Sequence, residues 1–84
     1  MNATVRVFNE DGLQALAQAI VKQAADDWRM AMKHRRNPRL DTRENSRTIR
    51  ETEAFINSAA PENLTGAYGP YIMRKLREEF PDAN

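Results

Sequence analysis

The chain has 84 residues, of which 40% are apolar and 30% charged, and its formal net charge is +1. This composition is typical of one small globular domain and differs from that of an intrinsically disordered chain. The absence of cysteine excludes disulfides and zinc–thiolate sites, and no apolar run is long enough to span a membrane. We therefore expect a single domain over residues 1–84 in the cytoplasm. With so small a core, we also expect a homo-oligomer.

The first predicted element is a short strand or extended arm over residues 4–8. Thr-Val-Arg-Val-Phe alternates polar and apolar side chains and is rich in β-branched residues. A lone strand has no partner within this chain. An extended arm, pairing with another chain, and disorder therefore stay open as alternatives.

Three helices are predicted after this segment. Apolar residues recur every three or four positions from Leu13 and predict a helix over 13–35, which Pro38 ends. Asp41 and Glu44 have the spacing of a capping box, which predicts a second helix over 41–58. Turn-forming residues follow, and Pro70 begins a third helix over 70–80. The sequence therefore predicts an all-α, compact three-helix domain.

The core-facing side of the first helix is predicted from its apolar spacing. The residues expected to face inward are Leu13, Leu16, Ala17, Ile20, Ala24, Trp28, Ala31 and Met32.

Positive charge is concentrated in residues 29–50, which have a local net charge of +6 between two acidic flanks. Seven of the eight basic residues there are arginines, whose planar guanidinium groups bind phosphate or carboxylate through paired hydrogen bonds. We predict a phosphate- or partner-binding surface formed by Arg35, Arg36, Arg39, Arg43, Arg47 and Arg50. Secondary contacts are expected from Lys33, Tyr68 and Tyr71. The alternative is a solvated helix face whose charges pair with neighbouring carboxylates such as Glu44 and Glu51.

No catalytic residue, metal site or cofactor is predicted. The single histidine, His34, has no cysteine or second histidine at a ligand spacing. The sequence contains neither a phosphate-binding glycine loop nor a pattern that predicts a nucleophile beside a histidine. We therefore expect a non-enzymatic protein.

Three segments carry a resemblance to a group of known proteins. They are Ala19-Ile20-Val21-Lys22-Gln23-Ala24 with Asp27-Trp28-Arg29, then Thr48-Ile49-Arg50-Glu51 with Glu53 and Phe55, and finally Leu64-Thr65 with Gly69, Tyr71 and Lys75-Leu76-Arg77-Glu78-Glu79. In order and spacing, the segments resemble small phage and prophage proteins of bacteria for which no activity is established. The chain departs from them at Ala60-Pro61, where they often carry a Trp-Phe pair, and at Tyr68, where they often carry an acidic residue.

The resemblance implies a mobile-element origin and, by association with other small phage proteins, a role in the cytoplasm of the host cell. The first function expected is inhibition of a host defence system, anti-CRISPR-like or by sequestering a nucleotide signal. Its partner would be a host defence protein or that nucleotide.

The second function expected is that of a small helical nucleic-acid-binding accessory protein that contacts the phosphate backbone. The predicted connection over 36–40 is longer and more basic than the turn of a helix-turn-helix, which argues against sequence-reading. A purely structural oligomeric component is the third alternative.

Overall fold

A computed structural model describes residues 10–81, with side chains from residue 12 onward. Four helices lie in this range: α1 (Glu10–Arg35), α2 (Arg43–Asn57), α3 (Ala60–Thr65) and α4 (Gly69–Glu78). The predicted all-α class is confirmed, and residues 10–81 contain no strand. The strand or arm predicted over 4–8 lies outside the described residues. None of the described helices has the length and apolar character needed to cross a membrane.

The long helices match the predicted ones, with shifted ends. α1 begins at Glu10, about a turn before the predicted start, and α2 begins at Arg43 rather than at residue 41. The capping box predicted for α2 is wrong, because the N-cap residue is Thr42 and not Asp41. The Thr42 hydroxyl oxygen accepts a hydrogen bond from the backbone N–H of Asn45 at 3.1 Å, which satisfies one of the free donors of the first turn.

The short helix α3 occupies a segment that was predicted to be a break in the chain. Pro61 lies in its first turn, where a missing backbone N–H costs nothing. Gly66 ends the helix with φ at 81°, and its N–H donates to the carbonyl oxygen of Glu62 at 2.8 Å. Six residues are too few to display a helical apolar period, so this element escaped the sequence pattern.

The core lies between the second half of α1, the inner face of α2 and α4. Trp28 is its centre, with 1% of its surface exposed. The Phe80 ring meets the Trp28 ring edge to face, with centroids 5.4 Å apart and planes at 87°. The buried residues of this cluster are Ala25, Trp28, Ala31, Met32, Ile49, Ile56, Met73, Leu76 and Phe80.

Two close contacts fix how α2 packs on its neighbours. The buried side chain of Asn45 donates from Nδ2 to the carbonyl oxygen of Ala31 in α1 at 2.9 Å. At the other end of α2, the backbone of Gly69 approaches Ile56 so closely that a Cβ atom would collide with the Ile56 carbonyl oxygen. The start of α4 is thereby fixed beside the end of α2.

The inward position predicted for three residues in the first half of the first helix is wrong, whereas the one predicted for Ala17 is confirmed. Leu13, Leu16 and Ile20 are 50%, 54% and 42% exposed, whereas Ala17 and Val21 are buried. Both sets recur at helical spacing, on adjacent sides of the helix, so periodicity alone does not choose between them. The smaller residues face inward beside α3, and the larger ones are left outside.

Candidate functional site

Three arginines follow one another along the outer face of α2. Arg43, Arg47 and Arg50 are exposed and are separated by four and three residues, so they share one side of the helix. The buried Ile49 and Ile56 mark the opposite side, which packs on the core. From the rise of an α-helix, Arg43 and Arg50 are separated by about 10 Å along the axis.

The passage from α1 to α2 contributes three further arginines. Arg35 is the last residue of α1, Arg36 and Arg39 lie in the connection, and all three are exposed. The backbone N–H of Leu40 donates to the carbonyl oxygen of Asn37 at 2.9 Å, so the connection is a hydrogen-bonded turn rather than an open loop. The structure thus gathers the six predicted residues at one end of the domain and along α2. We call Arg35, Arg36, Arg39, Arg43, Arg47 and Arg50 the arginine surface.

The guanidinium groups of the arginine surface are unpaired among the described residues. None of them lies within 4.0 Å of a carboxylate oxygen in that part of the chain, and the pairing with Glu44 or Glu51 that the alternative interpretation predicts is not formed there. Other cations do pair with carboxylates. These pairs are Lys22 with Asp26, Arg29 with Asp26 and Glu79, Lys75 with Glu78, and Arg77 with Glu53.

Arg36 is the one member of the arginine surface that contacts the core. Its guanidinium carbon lies 5.3 Å from the centroid of the Phe80 ring, a cation–π distance. The contact restricts the side chain while it leaves the guanidinium hydrogen-bond donors free for another ligand. Arg36 is therefore partly positioned before any partner binds.

Arg29 is the first residue of the basic stretch, but its role is structural, because it pairs with two carboxylates. Its Nε and Nη2 donate to the two carboxylate oxygens of Glu79 at 2.8 and 2.9 Å, and its Nη1 donates to Asp26 at 3.1 Å. The hydrogen bond with Glu79 raises the pKa of Arg29, and the same hydrogen bond lowers the pKa of Glu79. The nearby charge of the predicted secondary contact Lys33 also lowers the pKa of Glu79. Lys33 therefore lies beside this pair, and it is exposed.

The other predicted secondary contacts, Tyr68 and Tyr71, line an open cleft at the start of α4. They are 60% and 50% exposed, and with Pro70 and Arg74 they enclose about 350 Å³. The Arg74 guanidinium carbon and the Lys75 ammonium nitrogen lie 5.4 and 5.5 Å from the Tyr71 ring centroid. The cleft thus combines aromatic faces with positive charge.

Sequence reasoning missed Arg74 and Arg77 as neighbours of the arginine surface. Arg77 Nη2 lies 3.6 Å from Glu53 Oε1, and Glu53 follows Arg50 by three residues on α2. The Glu53 carboxylate therefore lies between Arg50 and Arg77, and Arg74, one turn before Arg77, lines the tyrosine cleft. The spacing of Arg74 and Arg77 was visible in the sequence, but their position beside α2 depends on tertiary packing.

Residues 10–81 contain no group of three or more histidine, aspartate or glutamate side chains arranged to hold a metal ion. Comparison with known proteins finds no family model, no curated protein and no solved structure that matches the chain.

Proposed function

We propose that this chain is a non-enzymatic binding protein whose arginine surface binds an extended, phosphate-bearing partner. The observation that carries the proposal is the exposed row of guanidinium groups that have no carboxylate partner among the described residues. Arginine offers a rigid fork of donors that fits phosphate oxygens in pairs.

Cations elsewhere in the described residues pair with carboxylates, whereas the arginine surface does not. This difference supports a binding role over a role in solubility alone. Elsewhere four cations contact a carboxylate, at separations from 2.6 to 3.7 Å. Glu44 and Glu51 lie on the same helix as Arg47, yet the guanidinium group contacts neither of them. A set of like charges without such partners repels itself, and an anionic ligand would relieve that repulsion.

The shape of the surface favours an extended ligand over a small enclosed one. The arginines of α2 lie along the outside of that helix, and those of the connection are exposed just before its first turn. A nucleic-acid backbone or a phosphorylated protein segment presents anionic groups at intervals along a line, which such a row can contact one after another.

Inhibition of a host defence system is the biological role that we attach to this binding. Its support is the resemblance of residues 19–79 to small phage and prophage proteins. The partner in that role is a defence component that bears or holds phosphate, and self-association is part of the proposal.

A nucleic-acid-binding accessory function is the second candidate, and the tyrosine cleft favours it. Exposed aromatic faces beside arginine and lysine are typical of surfaces that stack nucleic-acid bases. In the accessory protein, the arginine surface holds the backbone and Tyr68 and Tyr71 contact the bases.

The test is a binding titration with a labelled random-sequence duplex, a single strand of equal length and poly-glutamate, each at several salt concentrations. We expect both nucleic acids to bind and poly-glutamate to bind weakly. An Arg43→Gln/Arg47→Gln/Arg50→Gln variant should flatten the duplex salt slope by about three units, near 0.9 for each lost phosphate contact.

Two comparisons distinguish the effect of the paired arginine donors on binding from the effect of positive charge alone. Arg47→Gln is compared with Lys22→Gln, which removes the same charge from a paired site on α1. Replacement of the three arginines by lysine retains the charge and removes the paired donors, and we expect it to weaken binding. If the wild-type protein binds neither nucleic acid at low salt, the phosphate proposal fails.

A further inference from the structure

The first half of α1 presents an apolar face that no described residue covers. Leu13, Leu16 and Ile20 are separated by three and four residues, so they form one row on the helix. Each is about half exposed, and with the exposed Leu64 of α3 they line a groove of about 510 Å³. Single exposed leucines are ordinary, but four large apolar side chains around one groove are typical of an interaction surface.

The same part of α1 is also free of charge. Residues 12–21 contain no lysine, arginine, aspartate or glutamate, although 30% of the whole chain is charged. Ala15 and Ala19, both exposed and four residues apart, lie on the side of Leu16 that faces away from Leu13 and Ile20. Small side chains at this spacing allow a second helix to approach closely.

We propose that this neutral face packs against the same face of a second copy of the chain. A partner that recognises charge finds no opposite charge on residues 12–21, whereas two copies of a neutral face meet without repulsion. A two-fold axis near Leu16 would run the two α1 helices antiparallel, with Leu13 of one copy beside the partner's Ile20.

The layout of the face, with an apolar groove beside uncharged polar side chains, resembles that of a dimer interface. Such an interface buries about 800 Å² on each partner, with an apolar centre inside a more polar rim. The apolar centre is the groove formed by Leu13, Leu16, Ile20 and Leu64, and Gln14 and Asn63, which also line it, provide uncharged donors and acceptors. The neutral face ends where Lys22 begins the charged half of α1.

The experiment measures the mass of the full chain in solution over a range of concentrations, without any polyanion. We expect twice the chain mass for the wild type and a single chain for Leu16→Glu. The matched control is Met30→Glu: Met30 is also 54% exposed and lies on the same helix, outside the neutral face. We expect this variant to stay dimeric, and circular dichroism verifies that both variants fold.

A cysteine test removes any dependence on folding stability. Because the natural chain has no cysteine, Leu16→Cys on a two-fold axis should form an intermolecular disulfide under mild oxidation, and Met30→Cys should not. Equal cross-linking at the two positions would overturn the proposal.

The remaining outcomes exclude the other occupants. A wild-type chain that stays monomeric at every concentration overturns the proposal. If removal of residues 1–9, which include Val5, Val7 and Phe8, then creates a dimer, the chain's own N-terminal segment occupies the face. Neither result bears on the proposal for the arginine surface. The Arg43→Gln/Arg47→Gln/Arg50→Gln variant should have the same oligomeric state as the wild type, so the two proposals are tested separately.

Discussion

The indole N–H of Trp28 donates a hydrogen bond to Glu53 Oε2 at 3.0 Å, from α1 to α2 across the top of the core. The Trp28 ring is almost fully buried, so its only polar group has no access to water. The other oxygen of Glu53 lies 3.6 Å from Arg77 on α4. One half-buried carboxylate therefore connects the three long helices.

Removal of that carboxylate should destabilise the fold. We expect Glu53→Ala to lower the free energy of unfolding by about 1–3 kcal/mol, since the Trp28 donor is left buried without an acceptor. Glu53→Gln retains an acceptor and should lose less. Urea unfolding followed by Trp28 fluorescence measures both, with the exposed Glu51→Ala as control. Equal losses at residues 51 and 53 would contradict this account.

The pair of Arg29 and Glu79 predicts a dependence of stability on pH. Hydrogen bonding to Arg29 holds the pKa of Glu79 below its ordinary value of 4.5 in the folded state. The pair therefore contributes stability above that ordinary pKa, and the contribution is lost as the pH falls through the lowered folded value.

Glu79→Gln tests this dependence. Because both side chains are well exposed to solvent, we expect a loss of about 0.2–1 kcal/mol at pH 7 that shrinks as the pH is lowered below 4.5. Glu78→Gln is the control, as Glu78 faces Lys75 at a longer 3.7 Å. Thermal unfolding at a series of pH values provides the comparison, and a loss that does not change with pH would refute it.

Substitution should destabilise the fold at both Gly66 and Gly69, but for different reasons. A Cβ at Gly69 would collide with the Ile56 carbonyl oxygen, so Gly69→Ala should cost about 1–3 kcal/mol by forcing α2 and α4 apart. Gly66 has open space around it but a φ of 81°, which costs an L-residue about 1–2 kcal/mol.

Asparagine distinguishes the two causes, because it tolerates the left-handed region better than alanine does. Gly66→Asn should be milder than Gly66→Ala, whereas Gly69→Asn should be no better than Gly69→Ala. Chemical denaturation of the four variants tests whether asparagine is better tolerated than alanine at residue 66 but not at residue 69. The same order at both positions would show that only one of the two effects operates.

Local signals explain which parts of this fold were predictable. Pro38 and Pro70 fix where helices end and begin, and the spacing of Arg43, Arg47 and Arg50 fixes a common face, because both properties depend on neighbouring residues alone. All of these are visible in the printed sequence.

The exposed side of α1 was not predictable in this way. The sequence predicts an inward position for both Leu13 and Ala17, and which edge of that broad apolar stripe is covered depends on where α3 packs. The approach of Arg77 to α2 likewise depends on the contact of Gly69 with Ile56.

Tyr71 offers a way to separate the two proposed functions. Its ring is half exposed, with the cationic groups of Arg74 and Lys75 within 5.5 Å of its centroid, and a base that stacks on it would gain about 1–3 kcal/mol. We expect Tyr71→Ala to weaken binding of a single-stranded oligonucleotide by tenfold or more, and Tyr71→Phe to retain it. Duplex binding should change little, since its bases are already stacked. Fluorescence anisotropy of a labelled single strand and a labelled duplex measures these affinities. Equal affinities of Tyr71→Ala and Tyr71→Phe for the single strand would exclude stacking at this position.

The length of α1 also determines the distance between the neutral face around Leu16 and the arginine surface, which begins at Arg35. Leu16 and Arg35 are separated by about 28 Å of helix, several times the distance over which salt screens charge. In the antiparallel dimer, the two arginine surfaces would point away from each other, on the order of 50 Å apart. A polyanion that spans this gap engages both through a single molecule, and its affinity then rises sharply above a threshold length. Shorter polyanions would bind each end independently, so ligand length itself becomes a determinant of selectivity.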